Sequence, residues 1–255
     1  QSYVGYPADH ILVTNGSDDA LDLISKTYLN YGDRVLSPYP TYTHCLLFAQ
    51  SRGAIIDKIM PQDPFATDVE AILAEIHENT KLIYLVSPNN PTGQVYGEAD
   101  VVRVCTAAPQ AIVIVDEAYW EFAQESRADL IARLPNLIIT RTFSKVFGLA
   151  ALRIGYVIAQ PKLIEQLTRL HNPKSVNQLA QVAAAAALDD LDYYDRYVEQ
   201  VTRSKKLFGR WCQSHGISYH NTPANFGVVR IDKVKEVVDG LAARGVYVRD
   251  RSSFP

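Results

Sequence analysis

The sequence has few residues of the kinds that mark secreted, membrane-spanning or nucleic-acid-binding proteins. Its 3 cysteines are odd in number and widely spaced, so neither a disulfide framework nor a zinc-ligand spacing is indicated. No apolar run reaches the roughly 18 residues that a membrane-spanning helix needs. The formal net charge of −3 lacks the basic excess that binds nucleic acids or anionic membranes. We therefore expect a cytoplasmic protein with reduced thiols, no bound metal, and no nucleic-acid or membrane partner.

Composition and length indicate a folded chain of moderate size. Hydrophobic residues make up 47% and charged residues 21%, which is close to the globular average and excludes intrinsic disorder. The 255 residues allow one large domain or two modest ones. The start at Gln1 resembles neither a signal peptide nor an initiator region, and the last residues, 251–255, stop within a predicted loop. We expect the chain to be cut at both ends.

Short runs rich in β-branched residues alternate with longer amphipathic runs. This alternation predicts an α/β fold with a mostly parallel sheet that is covered by helices on both faces. Ser17 follows the turn Asn15-Gly16 and is predicted to be the N-cap of a helix. The predicted strands lie at residues 34–36, 55–59, 81–86, 111–115, 136–140 and 153–158.

The pattern changes after Pro161, where helical segments dominate. Residues 163–188 predict helix that is interrupted near Pro173, and residues 189–214 predict a long surface helix. We predict a large domain over residues 1–160, a helical segment between domains over 161–188, and a smaller α+β domain over 189–255. The front of the large domain and the end of the small one are expected to lie outside the chain.

Polar side chains stand at the ends of several predicted strands and at one helix start. Because the carboxyl ends of parallel strands form the ligand crevice of such a sheet, we expect these side chains to meet. The helix start supplies Gly16, Ser17 and Asp18, and the strand ends supply Asn90, Asp116, Tyr119, Ser144, Lys145 and Arg153.

This set of groups fits pyridoxal phosphate. The aldehyde of that cofactor needs a lysine amine, which Lys145 can supply. The ring nitrogen needs a carboxylate to stay protonated and to act as an electron sink. The phosphate needs a helix N-terminus with hydroxyl and guanidinium donors, and the ring face accepts an aromatic side chain.

Several motifs, taken in order, resemble those of a known enzyme family. The fold-type I aminotransferases, which use pyridoxal phosphate, have signatures similar to Ser87-Pro-Asn-Asn-Pro-Thr-Gly93, Asp116-Glu-Ala-Tyr119, and Thr142-Phe-Ser-Lys145 followed by Leu152-Arg-Ile-Gly155. Within that superfamily, Asn15-Gly-Ser-Asp18, Pro40-Thr-Tyr42 and Val248-Arg-Asp-Arg251 resemble the histidinol-phosphate aminotransferases most closely. One such motif is weak evidence, but their common order and spacing along the whole chain are specific.

The resemblance implies a role for each matching residue. Lys145 would hold the cofactor and move a proton between substrate and cofactor, and Asp116 would pair with the ring nitrogen. Asn90 and Tyr119 would hold the 3-oxygen, and Tyr42 would stack on the ring. The phosphate would be held by Gly16, Ser17, Asp18, Ser144 and Arg153, with backbone N–H groups as the main donors of the helix start. Asn177, at the predicted domain junction, is a candidate substrate contact, with helix capping as the alternative.

The implied activity is amino transfer between histidinol phosphate, or a similar amine, and 2-oxoglutarate, by a ping-pong mechanism. The resemblance also implies a homodimer with shared active sites. Two alternatives stay open: a lyase similar to threonine-phosphate decarboxylase, and a non-catalytic protein that keeps the fold. The residues do not separate transaminase from lyase, because the substrate's orientation decides which bond at Cα breaks. The family's partner-subunit tyrosine and its carboxylate-binding arginine are expected outside this chain.

Overall fold

The computed structural model describes residues 2–253, and a seven-stranded sheet lies at the centre of this part of the chain. Its strands are β1 (Ile11–Thr14), β2 (Arg34–Pro38), β3 (Ile55–Ile59), β4 (Thr80–Val86), β5 (Ile112–Asp116), β6 (Leu137–Thr142) and β7 (Gly155–Ala159). Their order across the sheet is β1-β7-β6-β5-β4-β2-β3. β7 is antiparallel to both of its neighbours, and the other pairs are parallel. The predicted α/β fold with a mostly parallel sheet is confirmed.

Helices connect and cover these strands. They are α1 (Ser17–Tyr28), α2 (His44–Ser51), α3 (Val69–Ala74), α4 (Glu98–Ala107), α5 (Trp120–Ala123), α6 (Pro161–Thr168), α7 (Gln178–Leu188), α8 (Leu191–Ser214) and α9 (Val234–Ala242). The predicted break near Pro173 lies between α6 and α7. A second, antiparallel sheet pairs β8 (Ser218–Asn221) with β9 (Gly227–Arg230). β8 was not predicted, because its residues are mostly polar and give no alternating apolar pattern.

The sheet has a hydrophobic core on each face. Successive side chains of a strand point to opposite faces, so Val115 and Ile139 pack in one core while Ile114 and Ile138 pack in the other. Leu21 of α1 belongs to the second core. Each of these side chains is fully buried and contributes roughly 1.5–3 kcal/mol. Because both faces are covered, the central strands are apolar along most of their length.

The topology places the ends of several strands, and the segments that follow them, at one edge of the sheet. The carboxyl ends of β4, β5 and β6 lie at this edge because these strands are parallel. β7 is antiparallel to β6, so its first residue, Gly155, pairs with Thr142 at the end of β6 and with Thr14 at the end of β1. The segments before β7 and after β1 therefore meet where β6 ends.

Four further expectations concern cysteines, metals, membrane-spanning helices and domains. Cys45, Cys105 and Cys212 are buried and free. Between residues 2 and 253, no group of three or more His, Cys, Asp or Glu side chains is placed to hold a metal ion. None of the helices in the described part of the chain has the length and apolar character for crossing a membrane. The domain boundaries at residues 160 and 188 stay a prediction.

Candidate active site

The start of α1 approaches the sheet closely because two glycines allow it. Gly16, not the predicted Ser17, is the N-cap of α1, and Ser17 is the first helical residue. Gly16 has φ +83°, and a Cβ there would lie 2.7 Å from Arg153 Nη2. A Cβ on Gly155 would lie 2.7 Å from the backbone nitrogen of Ser17. The first N–H groups of a helix lack intrahelical acceptors, so this end of α1 can bind an anion.

A chain of polar contacts surrounds the helix start. Asp18 Oδ2 lies 3.3 Å from Arg153 Nη2, and the Tyr42 hydroxyl donates to Asp18 Oδ1 at 2.8 Å. Arg153 also donates to the Ala150 carbonyl at 3.0 Å. Burial is the larger cause that raises the pKa of Tyr42, and the hydrogen bond to Asp18 is the next. The phenol therefore remains a donor at neutral pH. The structure thus groups Asp18, Tyr42 and Arg153 at the helix start, and their roles toward a cofactor stay a prediction.

Asp116 ends β5 with one oxygen satisfied and the other unpaired. Asp116 is 2% exposed. The Tyr84 hydroxyl donates to its Oδ2 at 2.9 Å. Oδ1 is buried and has no hydrogen-bond partner among the described residues. Burial raises the pKa of Asp116 to about 6, although the Tyr84 hydrogen bond lowers it. A buried acceptor without a donor costs stability, so Oδ1 indicates a place for a donor that these residues do not supply.

Lys145 and Tyr119 lie side by side in the segments that follow the neighbouring strands β6 and β5. Lys145 Nζ is 5.2 Å from the centroid of the Tyr119 ring, and no hydrogen bond or ion pair to another described residue holds the amine. Tyr119 is buried, and the edge of the Phe226 ring meets it at 5.2 Å. The Ser144 N–H donates to Thr142 Oγ1 at 3.1 Å, which fixes the turn that leads to Lys145.

Asn90 has a partner that sequence reasoning did not find. Its Oδ1 accepts a hydrogen bond from Arg251 Nη2 at 3.3 Å, across 161 residues of chain. Burial and the charge of Arg249 lower the pKa of Arg251, while Tyr119 has the opposite effect. The motif at residues 248–251 was visible in the sequence, but no spacing could tell which side chains it meets.

Asn177 caps α7. Its Oδ1 accepts from the Ala180 N–H at 2.8 Å, and its Nδ2 donates to the Leu152 carbonyl at 3.1 Å, next to Arg153. The residue is exposed. The structure therefore contains the helix cap that was the alternative for Asn177, and a substrate contact stays a prediction.

A buried ion pair lies on the opposite face of the sheet, and the sequence analysis missed it. Glu117 Oε2 is 2.8 Å from Arg141 Nη2, and their side chains are 1% and 3% exposed. The Arg141 guanidinium lies 4.0 Å from the centroid of the Trp120 ring. Glu117 follows Asp116 directly, and Arg141 precedes Lys145 by four residues. The sequence did contain one sign of this pair: Glu117 and Arg141 are residues of opposite charge at the ends of apolar runs that predict strands.

The arrangement combines an amine, a buried carboxyl group with a free acceptor, and an anion-binding helix start. These groups stand at one edge of the sheet: Asn90 after β4, Asp116 at the end of β5, Ser144 and Lys145 after β6, Arg153 before β7, and Ser17 and Asp18 after β1. Such a set can form a covalent bond to a carbonyl group, hold a protonated ring nitrogen and bind a phosphate.

Comparison with known proteins agrees with this chemistry. The aminotransferase class I and II family matches residues 2–255. A histidinol-phosphate aminotransferase of Methanococcoides burtonii is 36% identical over 255 residues, which cover 99% of this chain and 70% of the relative. A dihydroxyacetone phosphate transaminase of Campylobacter jejuni is 37% identical over 93% of this chain and 66% of the relative. The solved histidinol-phosphate aminotransferase of Sinorhizobium meliloti, in complex with pyridoxal-5'-phosphate, matches with a TM-score of 0.90 at 28% identity, over 97% of this chain and 70% of that one. The chain therefore belongs to the class I and II aminotransferases.

Proposed function

We propose that this aminotransferase uses pyridoxal phosphate and moves an amino group between histidinol phosphate and a 2-oxo acid, with 2-oxoglutarate as the acceptor. The observation that carries the proposal is the buried, unpaired Oδ1 of Asp116 on the strand next to the one that leads to Lys145. The names of the two relatives, and the cofactor in the solved structure from Sinorhizobium meliloti, support it.

The described residues fit this cofactor. Asp116 Oδ1 would accept the ring N–H, and Lys145 would bond to the aldehyde carbon. The phosphate would be bound by the first turn of α1, at Gly16, Ser17 and Asp18, together with Ser144 and Arg153. Asn90 and Tyr119 would hold the 3-oxygen, and Tyr42 would cover the ring face. When bound, the cofactor supplies a ring that withdraws the electron pair left at the substrate Cα.

The protein's own groups set the charges for this chemistry. A cationic ring nitrogen at Oδ1 would keep Asp116 ionised in spite of its burial, because an adjacent opposite charge favours the charged form. Lys145 would act as the general base that takes the proton from Cα and returns it to the cofactor. The Tyr119 ring, whose centroid is 5.2 Å from Nζ, would help to hold the Lys145 side chain in place beside the cofactor.

Arg251 supports a substrate that carries a phosphate group. The two relatives are named for different substrates, histidinol phosphate and dihydroxyacetone phosphate, and both are phosphate esters. Arg251 brings a guanidinium to the Asn90 side chain, at the edge where substrate would enter. Guanidinium groups bind phosphate oxygens with paired donors. We therefore place the substrate phosphate near Arg251.

Absorbance and product analysis test this function. We expect purified protein to gain a visible absorbance band when pyridoxal phosphate is added. Lys145→Ala should lose both this band and turnover, because no amine remains to bond to the aldehyde. Lys162→Ala, which removes an exposed lysine at the start of α6, should lose neither. A folded wild-type protein without such a band would contradict the proposal.

The substrate and the reaction type are decided by a second assay. Histidinol phosphate, dihydroxyacetone phosphate with an amino donor, and threonine phosphate are each offered with and without 2-oxoglutarate. Transfer that depends on the 2-oxo acid identifies a transaminase and its substrate, whereas carbon dioxide from threonine phosphate identifies the lyase. A homodimer with shared sites and a cytoplasmic location belong to the proposal through the family resemblance alone, and sedimentation of the protein tests the former.

A further inference from the structure

His44, the first residue of α2, extends the polar contacts at the start of α1. Its Nδ1 lies 2.8 Å from the Tyr42 hydroxyl and 3.3 Å from Asp18 Oδ1, and its ring centroid is 4.8 Å from that of Tyr42. The motifs of the sequence give this residue no role. It is nevertheless within hydrogen-bond reach of a group expected at the cofactor phosphate.

Two basic side chains face the same carboxylate from different sides. His44 approaches Oδ1 of Asp18, while Arg153 approaches Oδ2 at 3.3 Å. The other groups around His44 are Tyr42 in the preceding loop and Phe48 on α2, whose ring centroid is 6.1 Å away. Asp18 is the carboxyl group among these neighbours. The guanidinium is always charged, whereas an imidazole is charged only after it binds a second proton.

The protonation state of His44 decides how this carboxylate is shared. With a neutral imidazole, Asp18 has Arg153 as its cationic partner, and the guanidinium is partly neutralised. With a protonated imidazole, the carboxylate has a second cation, and the formal charge of the three side chains rises from zero to plus one. A phosphate dianion at the helix start is attracted by that added charge.

We propose that His44 is a positioning residue of the cofactor site: its protonated ring takes the Asp18 carboxylate and leaves Arg153 for the cofactor phosphate. The identity of the ligand rests on the proposed function, while the contacts among His44, Asp18 and Arg153 do not. Binding of the cofactor phosphate then tightens as the pH falls through the range of about 5–8 in which histidines titrate.

Binding titrations with and without the phosphate group test the inference. The dissociation constant of pyridoxal phosphate is measured by calorimetry for cofactor-free wild type and His44→Gln at several pH values. We expect wild-type binding to weaken by roughly twofold to fivefold more than His44→Gln binding as the pH rises, the range that half-exposed ion pairs contribute. Pyridoxal, which lacks the phosphate, should bind with the same pH dependence in both proteins. The titration of the ligand itself is the same in both experiments, so it cancels in the comparison.

Two further variants separate positioning from a simple added charge. His44→Lys, with a permanent cation, should keep tight binding at high pH. In an Asp18→Asn background, replacing His44 should change little, because no carboxylate remains to be shared. Melting temperatures verify that each variant is folded; His44 is half exposed, and its replacement is expected to be tolerated.

Equal pH dependence in wild type and His44→Gln, or a His44 effect that persists without Asp18, would overturn the inference. Folded wild type that binds no pyridoxal phosphate at any pH would overturn the proposed function instead, and with it this inference.

Discussion

At the scale of single residues, burial changes the acidity of the Asp116 carboxyl group, and this acidity matters for its proposed role. The strand places it at 2% exposure, and Tyr84 satisfies just one of its oxygens. Burial raises its pKa from the ordinary value of 3.8 to about 6, so the cofactor-free protein holds it partly protonated in weak acid. A cationic ring nitrogen at Oδ1 reverses this preference, because it stabilises the ionised form.

The raised pKa of Asp116 gives a pH dependence of stability with a definite sign. Because its pKa is higher in the folded protein than in the unfolded chain, Asp116 ionises more readily in the unfolded chain. A rise in pH through this range therefore favours unfolding. We expect cofactor-free protein to lose up to about 1.4 kcal/mol of unfolding free energy for each pH unit from about 4 to about 6. Asp116→Asn lacks this loss, since an amide does not ionise. Urea unfolding of both proteins over this range measures the difference, and parallel pH curves would contradict it.

The sequence predicted the residues at strand ends better than their partners. Asp116 and Lys145 each follow a buried apolar run, and that local pattern places them at one edge of a parallel sheet. Tyr84 lies within such a run and looks like a core residue, and its contact with Asp116 spans 32 residues. The contact between Arg251 and Asn90 spans 161 residues. Contacts of this kind depend on the folded topology, which periodicity alone does not determine.

At the scale of secondary-structure elements, the Glu117–Arg141 pair joins the ends of β5 and β6. Glu117 also accepts hydrogen bonds from Ser126 Oγ and from the Arg127 backbone, so its carboxylate is well satisfied. The pair sits on the face opposite to Asp116, because adjacent residues of a strand point to opposite faces. It thereby fixes the two strand ends from which Asp116 and Lys145 reach the site.

Breaking this pair should be costly. We expect Glu117→Ala to lower the unfolding free energy by roughly 3–5 kcal/mol, because Arg141 is left as a buried charge without a counter-ion. Glu165→Ala removes the exposed partner of Arg169 within α6 and should cost less than about 1 kcal/mol. Denaturant titrations of the two variants compare a buried and an exposed ion pair. Similar losses in both would show that the buried pair does not join β5 to β6 as described.

At the scale of the whole molecule, residues far along the chain complete the site formed by the large sheet. The loop between β8 and β9 places Phe226 against Tyr119, and a Cβ on Gly93 would lie 2.4 Å from Thr222 Cβ. Lys205 of α8 donates to the carbonyl oxygens of Thr222 and Ala224 and so holds this loop. The sequence predicted α8 but not this contact, because a lysine on a charged helix gives no sign that it binds a loop.

We therefore expect Lys205 to hold the loop between β8 and β9, and with it Phe226, in a fixed position relative to α8. We expect Lys205→Met to lower the unfolding free energy by about 1–3 kcal/mol, since two partly buried carbonyl groups lose a charged donor. Protease cleavage between β8 and β9 should increase, while the absorbance of bound cofactor persists, because Lys145 and Asp116 belong to the other sheet. Lys206→Met, at an exposed neighbouring position, is the matched control. Equal cleavage rates in the two variants would mean that α8 and the loop are held by apolar packing, and that the ammonium group of Lys205 does not set the position of Phe226 at Tyr119.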